Sequence, residues 1–325
     1  MPGYDWLLIE TLRASEEPTL VADGIRLRDW GSPVRARREL GPAAPRHIAE
    51  VVRRCREAGV IESHRDAGLV VVGIPVRCAF DEVHGVQVWA GPPTERPPAR
   101  PAVAAWDWEA DTELAYHGPG LEELVFARAP EEVRVVRTPP EAFGAMVRFD
   151  GRVEYFEMVG TMDGRYQGDV DMIGDDGRVR NFQMVTRADP RDRRIRALMH
   201  LIPDPALVRP DVDMEMMRAV SQHAVEGVGF VGLVSGVIYE WPRVPPPPLH
   251  RWAVERPQLH PDDRVVFRAA CDELAAVADS DGHVVSRHLR IRVRFADTDW
   301  IAVRAELLPM AKESGHGILR VSPAT

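Results

Sequence analysis

The stretch from Glu255 to Met310 places the tightest limit on the fold, because it encodes a helix followed by strands in a fixed order. Leu259-His260-Pro261-Asp262-Asp263-Arg264 reads as a helix start. Proline suits the first helical position, where its missing N–H is no loss. His260 stands just before it, and Asp262 and Asp263 put negative charge at the positive end of the helix. Val265, Val266, Ala269, Ala270, Leu274 and Val277 recur at helical spacing and predict the buried stripe. Asp279-Ser280-Asp281-Gly282 predicts the stop. Two alternating runs follow, His288–Phe295 and Trp300–Leu308, and Asp297-Thr298-Asp299 predicts the turn between them. Gly317–Val321 predicts a short edge strand.

This order resembles the second half of a PAS domain, in which such a helix start leads into an antiparallel hairpin and a closing strand. The resemblance implies a sensory module that holds a small ligand or a partner between sheet and helices, and that is seldom an enzyme.

A chain of 325 residues is long for one core and predicts two or three domains. The net charge of -9 gives no global reason to bind nucleic acid or an anionic membrane. Lys312 is the only lysine, and the arginines are scattered, which argues against a phosphate-binding patch. Cys55, Cys78 and Cys271 form no CxxC and are odd in number. That spacing predicts neither a disulfide framework nor a zinc cluster and fits a reducing cytoplasm. The first residues lack the basic-then-apolar pattern of a signal peptide. The most apolar run, Gly227–Tyr239, is shorter than the roughly 20 residues of a membrane-spanning helix.

Taken in order, Asp5–Leu12 and Pro18–Gly24 predict two strands, the second ending in an Asp-Gly turn. Pro45–Gly59 predicts a helix with Ile48, Val51, Val52, Cys55 and Ala58 on one face and Gly59 as its stop. Leu69–Val76 and Val83–Trp89 predict a hairpin. The proline-dense Gly91–Pro101 predicts a semi-rigid spacer. Beyond it Val103–Trp108 opens a strand-rich region. There Phe149-Asp150-Gly151-Arg152 predicts a hairpin turn between Phe143–Arg148 and Val153–Val159, and Gly174-Asp175-Asp176-Gly177 predicts another between Tyr166–Ile173 and Val179–Ala188. Ile195–Ile202 predicts a closing strand. Pro203-Asp204-Pro205 and Pro210 mark a boundary. Asp213–Glu226 predicts a helix with Met214, Met217, Val220, Ser221 and Ala224 along one side, either joining two domains or covering its own. Phe230–Trp241 predicts strands. No short-period repeat occurs, but the three regions look like variations on one architecture.

Two strings narrow the resemblance. Asp5-Trp6-Leu7-Leu8-Ile9-Glu10-Thr11-Leu12 and Val83-His84-Gly85-Val86-Gln87-Val88-Trp89-Ala90-Gly91-Pro92 look like the N-terminal domain of a mycobacterial and related actinobacterial family built from tandem PAS, GAF and PAS-type domains. The resemblance implies a fold and a regulatory role, and it supplies no catalytic residues.

Other motifs fail on context. Gly227-Val228-Gly229-Phe230-Val231-Gly232 matches GxGxxG, but a helix precedes it and a proline run follows, so it reads as a glycine-rich strand packed against a neighbour. Asp169-Val170-Asp171 with Asp175-Asp176-Gly177 lacks the ligands of a calcium loop. His260, Asp262 and Asp263 suit a helix cap better than a metal or acid–base cluster, and His283 and His288 read as solvated. There is no GxSxG and no Walker A string.

The expectation is therefore an α+β chain of three tandem PAS/GAF-like domains, 1–98, 99–204 and 205–325, each an antiparallel sheet flanked by helices. It would be a cytoplasmic, non-catalytic sensory or regulatory protein, binding a small molecule or a protein partner and forming a homodimer. No cofactor, metal, nucleic acid or membrane insertion is predicted. Tyr239, Trp252 and Arg292 are the pocket candidates, an aromatic wall plus a guanidinium for an anionic organic ligand. The rival readings are a ligand-free scaffold and a small-molecule enzyme built on His260, Asp262 and Asp263.

Overall fold

The computed structural model describes residues 4–203, 212–276, 285–310 and 315–324, with the side chains of 212–214 omitted. The boundary residues Asp204, Pro205 and Pro210, the Met214 side chain, Val277, the Asp279–Gly282 stop and His283 lie outside the described residues. The chain is mixed, with three antiparallel sheets. Their strands come from within 7–91, 103–202 and 227–323. Two compact units emerge from the contacts. The first is drawn from Met1–Ala110, Tyr116–Val136 and Asp163–Val208, the second from Asp111–Ala115, Arg137–Met162 and Arg209–Thr325. No described helix is long and apolar enough to cross a membrane.

The first segment holds β1 (Leu7–Glu10), β2 (Thr19–Asp23), β3 (Arg26–Gly31), α1 (Ala44–Ala58), β4 (Glu62–Arg65), β5 (Val70–Arg77) and β6 (Val83–Gly91). They form one sheet in the order β3-β2-β1-β6-β5-β4. Gly59 ends α1 in the left-handed conformation, its N–H donating to the Cys55 carbonyl. Ile48, Val51, Val52 and Cys55 are buried against β5 and β6, while Ala58 is exposed one turn later. Gly73 permits that approach: a Cβ there would lie 2.6 Å from Val51 Cγ1 and 2.8 Å from Cys55 Sγ.

The next segment contributes β7 (Val103–Glu109), β8 (Leu114–His117), α2 (Leu121–Phe126), β9 (Val136–Arg137), α3 (Pro139–Phe143), β10 (Met146–Arg148), α4 (Arg152–Thr161), β11 (Arg165–Ile173), β12 (Val179–Asp189) and β13 (Arg194–Ile202). In the first unit β11-β12-β13-β7 are antiparallel neighbours, and the turn at Gly174–Gly177 is the expected hairpin. Leu198 of β13 packs with Leu8, Val21, Val76 and Ala105. A Cβ on Gly85 would lie 2.9 Å from Leu198 Cδ1. The first sheet is thus covered by α1 on one face and by strands on the other. This is why every residue of β6 is buried.

The hairpin predicted at Phe149–Arg152 is not formed, because Val153–Val159 is helical and belongs to α4. Tyr155, Phe156, Met158 and Val159 are buried and Val153 is exposed, a three-and-four spacing rather than an alternation. Asp150-Gly151 leads into that helix.

The last segment holds α5 (Val212–Ser221), β14 (Gly227–Gly232), β15 (Ile238–Arg243), β16 (Gln258–Leu259), α6 (Pro261–Ala276), β17 (Arg287–Arg294), β18 (Ile301–Pro309) and β19 (His316–Pro323). The sheet order is β15-β14-β19-β18-β17-β16; its first five strands repeat the pattern of β2-β1-β6-β5-β4 in the first sheet, while β16 and β3 extend opposite edges. β19 is therefore an interior strand, paired on both sides, and not the expected edge. α6 starts at Pro261 as expected, but its buried face is Phe267, Ala270, Cys271 and Leu274. Val265, Val266 and Ala269 of the expected stripe face solvent. On α5, Ser221 is buried and Val220 is exposed. The glycine motif lies in β14: a Cβ on Gly229 would meet the Trp241 ring at 2.8 Å, and one on Gly232 would meet the Tyr239 hydroxyl at 1.7 Å.

Candidate functional site

In the second unit a cavity of about 680 Å³ lies beside the first turns of α6. Pro261, Arg264, Phe267 and Arg268 reach it from the helix, Gln258 and Leu259 from β16, Ile238 from β15 and Arg294 from β17. Trp252 and Trp300 supply flat walls. Trp252 is fixed from behind: Trp241 meets it edge-on at 5.5 Å and donates its indole N–H to the Trp252 carbonyl at 3.3 Å. Arg294 lies 4.7 Å over the Trp300 ring and donates to Gln258 at 2.6 Å. Arg256 pairs with Glu113 at 2.9 Å, and Arg268 with Asp272 at 2.9 Å. Arg264 has no ion pair among the described residues. Four arginines against two glutamates, Glu113 and Glu255, give the lining a positive balance.

Of the three pocket candidates, Trp252 lines this cavity, and Tyr239 and Arg292 are not among its lining residues. Tyr239 is buried, stacked on Phe156 at 3.6 Å, with its hydroxyl 3.2 Å from Ser235 Oγ. Burial raises its pKa. Arg292 is half-exposed and grips Asp263 through Nε at 2.8 Å and Nη2 at 2.9 Å, while its backbone N–H donates to the same carboxylate at 2.7 Å. These bonds hold the Asp263 carboxyl below the usual range. His260 Nδ1 lies 3.1 Å from Arg292, and Asp262 is 82% exposed. The His260–Asp263 cluster thus ties the start of α6 to β17. Phe267, Arg264, Arg294 and Trp300 were missed as lining residues.

A second group lies in the first unit. Cys78 follows β5, His84 is in β6 and Asp107 is in β7. His84 is 1% exposed and Asp107 fully buried. His84 Nε2 stands 3.3 Å from Asp107 Oδ1, and one ligand atom from each of the three residues lies within 4.8 Å of the other two. Burial pushes the Cys78 thiol up to about 12 and Asp107 up to about 7, and pulls His84 down to about 3. Neither ring nitrogen of His84 and neither carboxylate oxygen of Asp107 has a hydrogen bond of good geometry. The Phe80 N–H donates to Cys78 Sγ at 3.3 Å. A third cluster brings His47 of α1 onto His64 of β4, their imidazoles stacked at 3.7 Å, beside Asp66, whose Oδ1 is engaged by the N–H groups of Gly68 and Leu69 in the following turn.

Residues 5–99 match the model of the family described as Rv3651-like, N-terminal. No curated protein matches the chain. A crystal structure of an uncharacterized protein from Mycobacterium tuberculosis superposes with a TM-score of 0.77 at 22% identity, over 99% of this chain and 96% of that one, so the two share a fold. A sensory box histidine kinase/response regulator from Burkholderia thailandensis E264 matches at a TM-score of 0.26 and 15% identity over 37% of this chain and 88% of that one. An RNA-binding light-oxygen-voltage receptor matches at 0.26 and 10% over 68% and 95%. Scores at that level carry no argument.

Proposed function

Taking residues 5–99 as an Rv3651-like N-terminal region, we propose that this protein is a non-catalytic sensory or regulatory module whose C-terminal unit binds a small, flat, anionic organic molecule between Trp252 and Trp300. The cavity carries the reading. Its volume suits a metabolite, its walls are aromatic, and Arg264 brings a guanidinium without an ion-pair partner among the described residues. Two sheets that share a five-strand order, each with a helix packed on it, support tandem PAS/GAF-type domains across 1–98, 99–204 and 205–325. Three buried, unpaired cysteines favour a reducing compartment such as the cytoplasm. A non-catalytic role is favoured because Asp263 is occupied by Arg292 and Asp262 is solvated. The bound state would pass to a protein partner or a second copy through a conformation that the ligand prefers.

A thermal-shift panel of aromatic carboxylates and phosphates, each beside its neutral analogue, tests this. An anionic compound stabilises the chain by mass action, about 2.7 kcal/mol at a hundred times its dissociation constant. Arg264→Ala weakens it about tenfold or more, the order of a charge-assisted hydrogen bond. If no anion stabilises the chain across the panel, the scaffold reading replaces the sensor.

A further inference from the structure

We propose that Cys78, His84 and Asp107 bind one divalent transition metal ion of the zinc type inside the N-terminal unit. A thiolate, an imidazole and a carboxylate are the donor types that such ions take. In tetrahedral coordination, with bonds of about 2.0–2.3 Å, ligand atoms stand roughly 3.3–3.8 Å apart. The His84–Asp107 pair is already at 3.3 Å, and the widest separation in the trio is no more than 4.8 Å. A contraction of about 1.3 Å at most, from 4.8 Å to the roughly 3.5 Å of a sulfur–nitrogen or sulfur–oxygen pair, therefore closes the site around an ion.

The polar accounting points the same way. Four buried polar atoms, both nitrogens of His84 and both oxygens of Asp107, make no hydrogen bond of good geometry, their nearest polar neighbours being one another, Cys78 and the Ala197 backbone. Buried groups of this kind are rarely left unpaired. A dication held by one thiolate and one carboxylate is neutral, so no charge is stranded, and a water from the bordering cavity fills the fourth position. On coordination the Cys78 thiol gives its proton to solvent. The Phe80 N–H already points at the sulfur, and the Ala197 backbone lies against the His84 ring, as outer partners of metal ligands do. His84 also borders a cavity of about 330 Å³ with Thr11, Glu82 and Arg196, which provides a way in. The ligands sit on both sides of the proline-dense spacer, so the ion would pin β7 to the first sheet.

Cobalt(II) added to the demetallated full-length chain tests this. One equivalent binds, with a thiolate-to-cobalt charge-transfer band and the strong ligand-field bands of a four-coordinate ion, and zinc displaces it. Cys78→Ser abolishes the charge-transfer band, and Cys78→Ser and His84→Gln each weaken binding by more than about 100-fold. Cys55→Ser and Cys271→Ser leave the band intact. Zinc raises the melting temperature of the parent chain and not of Cys78→Ser. If Cys78→Ser does not fold, Asp107→Asn serves, keeping the band but binding about tenfold or more weakly. The proposal is overturned by a parent chain without the band, by a band that survives Cys78→Ser, or by His84→Gln and Asp107→Asn affinities within about threefold of the parent.

Discussion

Substituting Gly232 by alanine puts one methyl group where the Tyr239 hydroxyl already sits. A Cβ there lies 1.7 Å from the phenolic oxygen, 2.6 Å from Cζ and 2.6 Å from Ser235 Oγ. Ordinary contact begins at 3.4 Å, so the ring must retreat by about 1.7 Å. Behind it Phe156 is stacked at 3.6 Å and is itself held by Phe143 at 4.9 Å. Overpacking of this kind costs about 1–3 kcal/mol, and breaking the Tyr239–Ser235 hydrogen bond adds about 1 kcal/mol. The expected loss is about 3 kcal/mol, read from the urea midpoint, with faster hydrogen exchange concentrated in β14 and β15. Tyr239→Phe removes the closest atom but not Cζ, so the double variant recovers about 1 kcal/mol of the cost. A Gly232→Ala chain within about 0.5 kcal/mol of the parent refutes the argument that this glycine motif is a packing device.

Three other outcomes follow from buried groups. His200 is buried, and that burial lowers its pKa from 6.5 to about 4. The unfolded chain takes up the proton first as pH falls, so stability is complete above about 6.5 and declines toward 4, by about 3 kcal/mol in total. Melting curves of the parent and His200→Gln should converge across that window, and a pH-independent gap between them contradicts the assignment. Glu240 is buried between Arg152 at 2.6 Å and Arg218 at 2.8 Å, so Glu240→Leu should cost about 3–5 kcal/mol by stranding Arg152. Adding Arg152→Met should recover a good part of that in urea denaturation, and additive losses would show that the pair is uncoupled. On α6, Phe267→Ala should cost about 3–5 kcal/mol and Val265→Asp no more than about 0.5 kcal/mol, and the reverse ranking would mean that the helix buries its other face.

What the sequence made legible was local. Gly59 stops α1 because it alone adopts the left-handed cap without strain, and the Asp-Asp-Gly turn closes β11 on β12 because turn and alternation agree. Where two local signals competed, the wrong one prevailed. Asp150-Gly151 has hairpin chemistry, yet Tyr155, Phe156, Met158 and Val159 already carried helical spacing. On α6 two stripes were available, and Phe267 with Cys271 outweighs Val265 with Val266 because the larger, softer surface gains more from burial. Position within a sheet was not legible at all. β19 reads like any short alternating strand; its pairing with β18 is local, and what makes it an interior strand is its pairing with β14, from Gly227↔Val321 to Gly232↔His316. The same blindness hid both candidate sites. Arg264, Arg294 and Trp300 converge only because α6 lies beside β17. Cys78 was set aside with the other cysteines for want of a CxxC, and nothing in the sequence ties it to His84 and Asp107 across a turn and a proline-dense spacer, whereas the sheet packing brings their donor atoms within 4.8 Å of one another. Search rules based on ligand spacing assume that a loop or helix carries the ligands. When strands of two packed sheets carry them, spacing holds no information and chemistry can be read only after the topology is known.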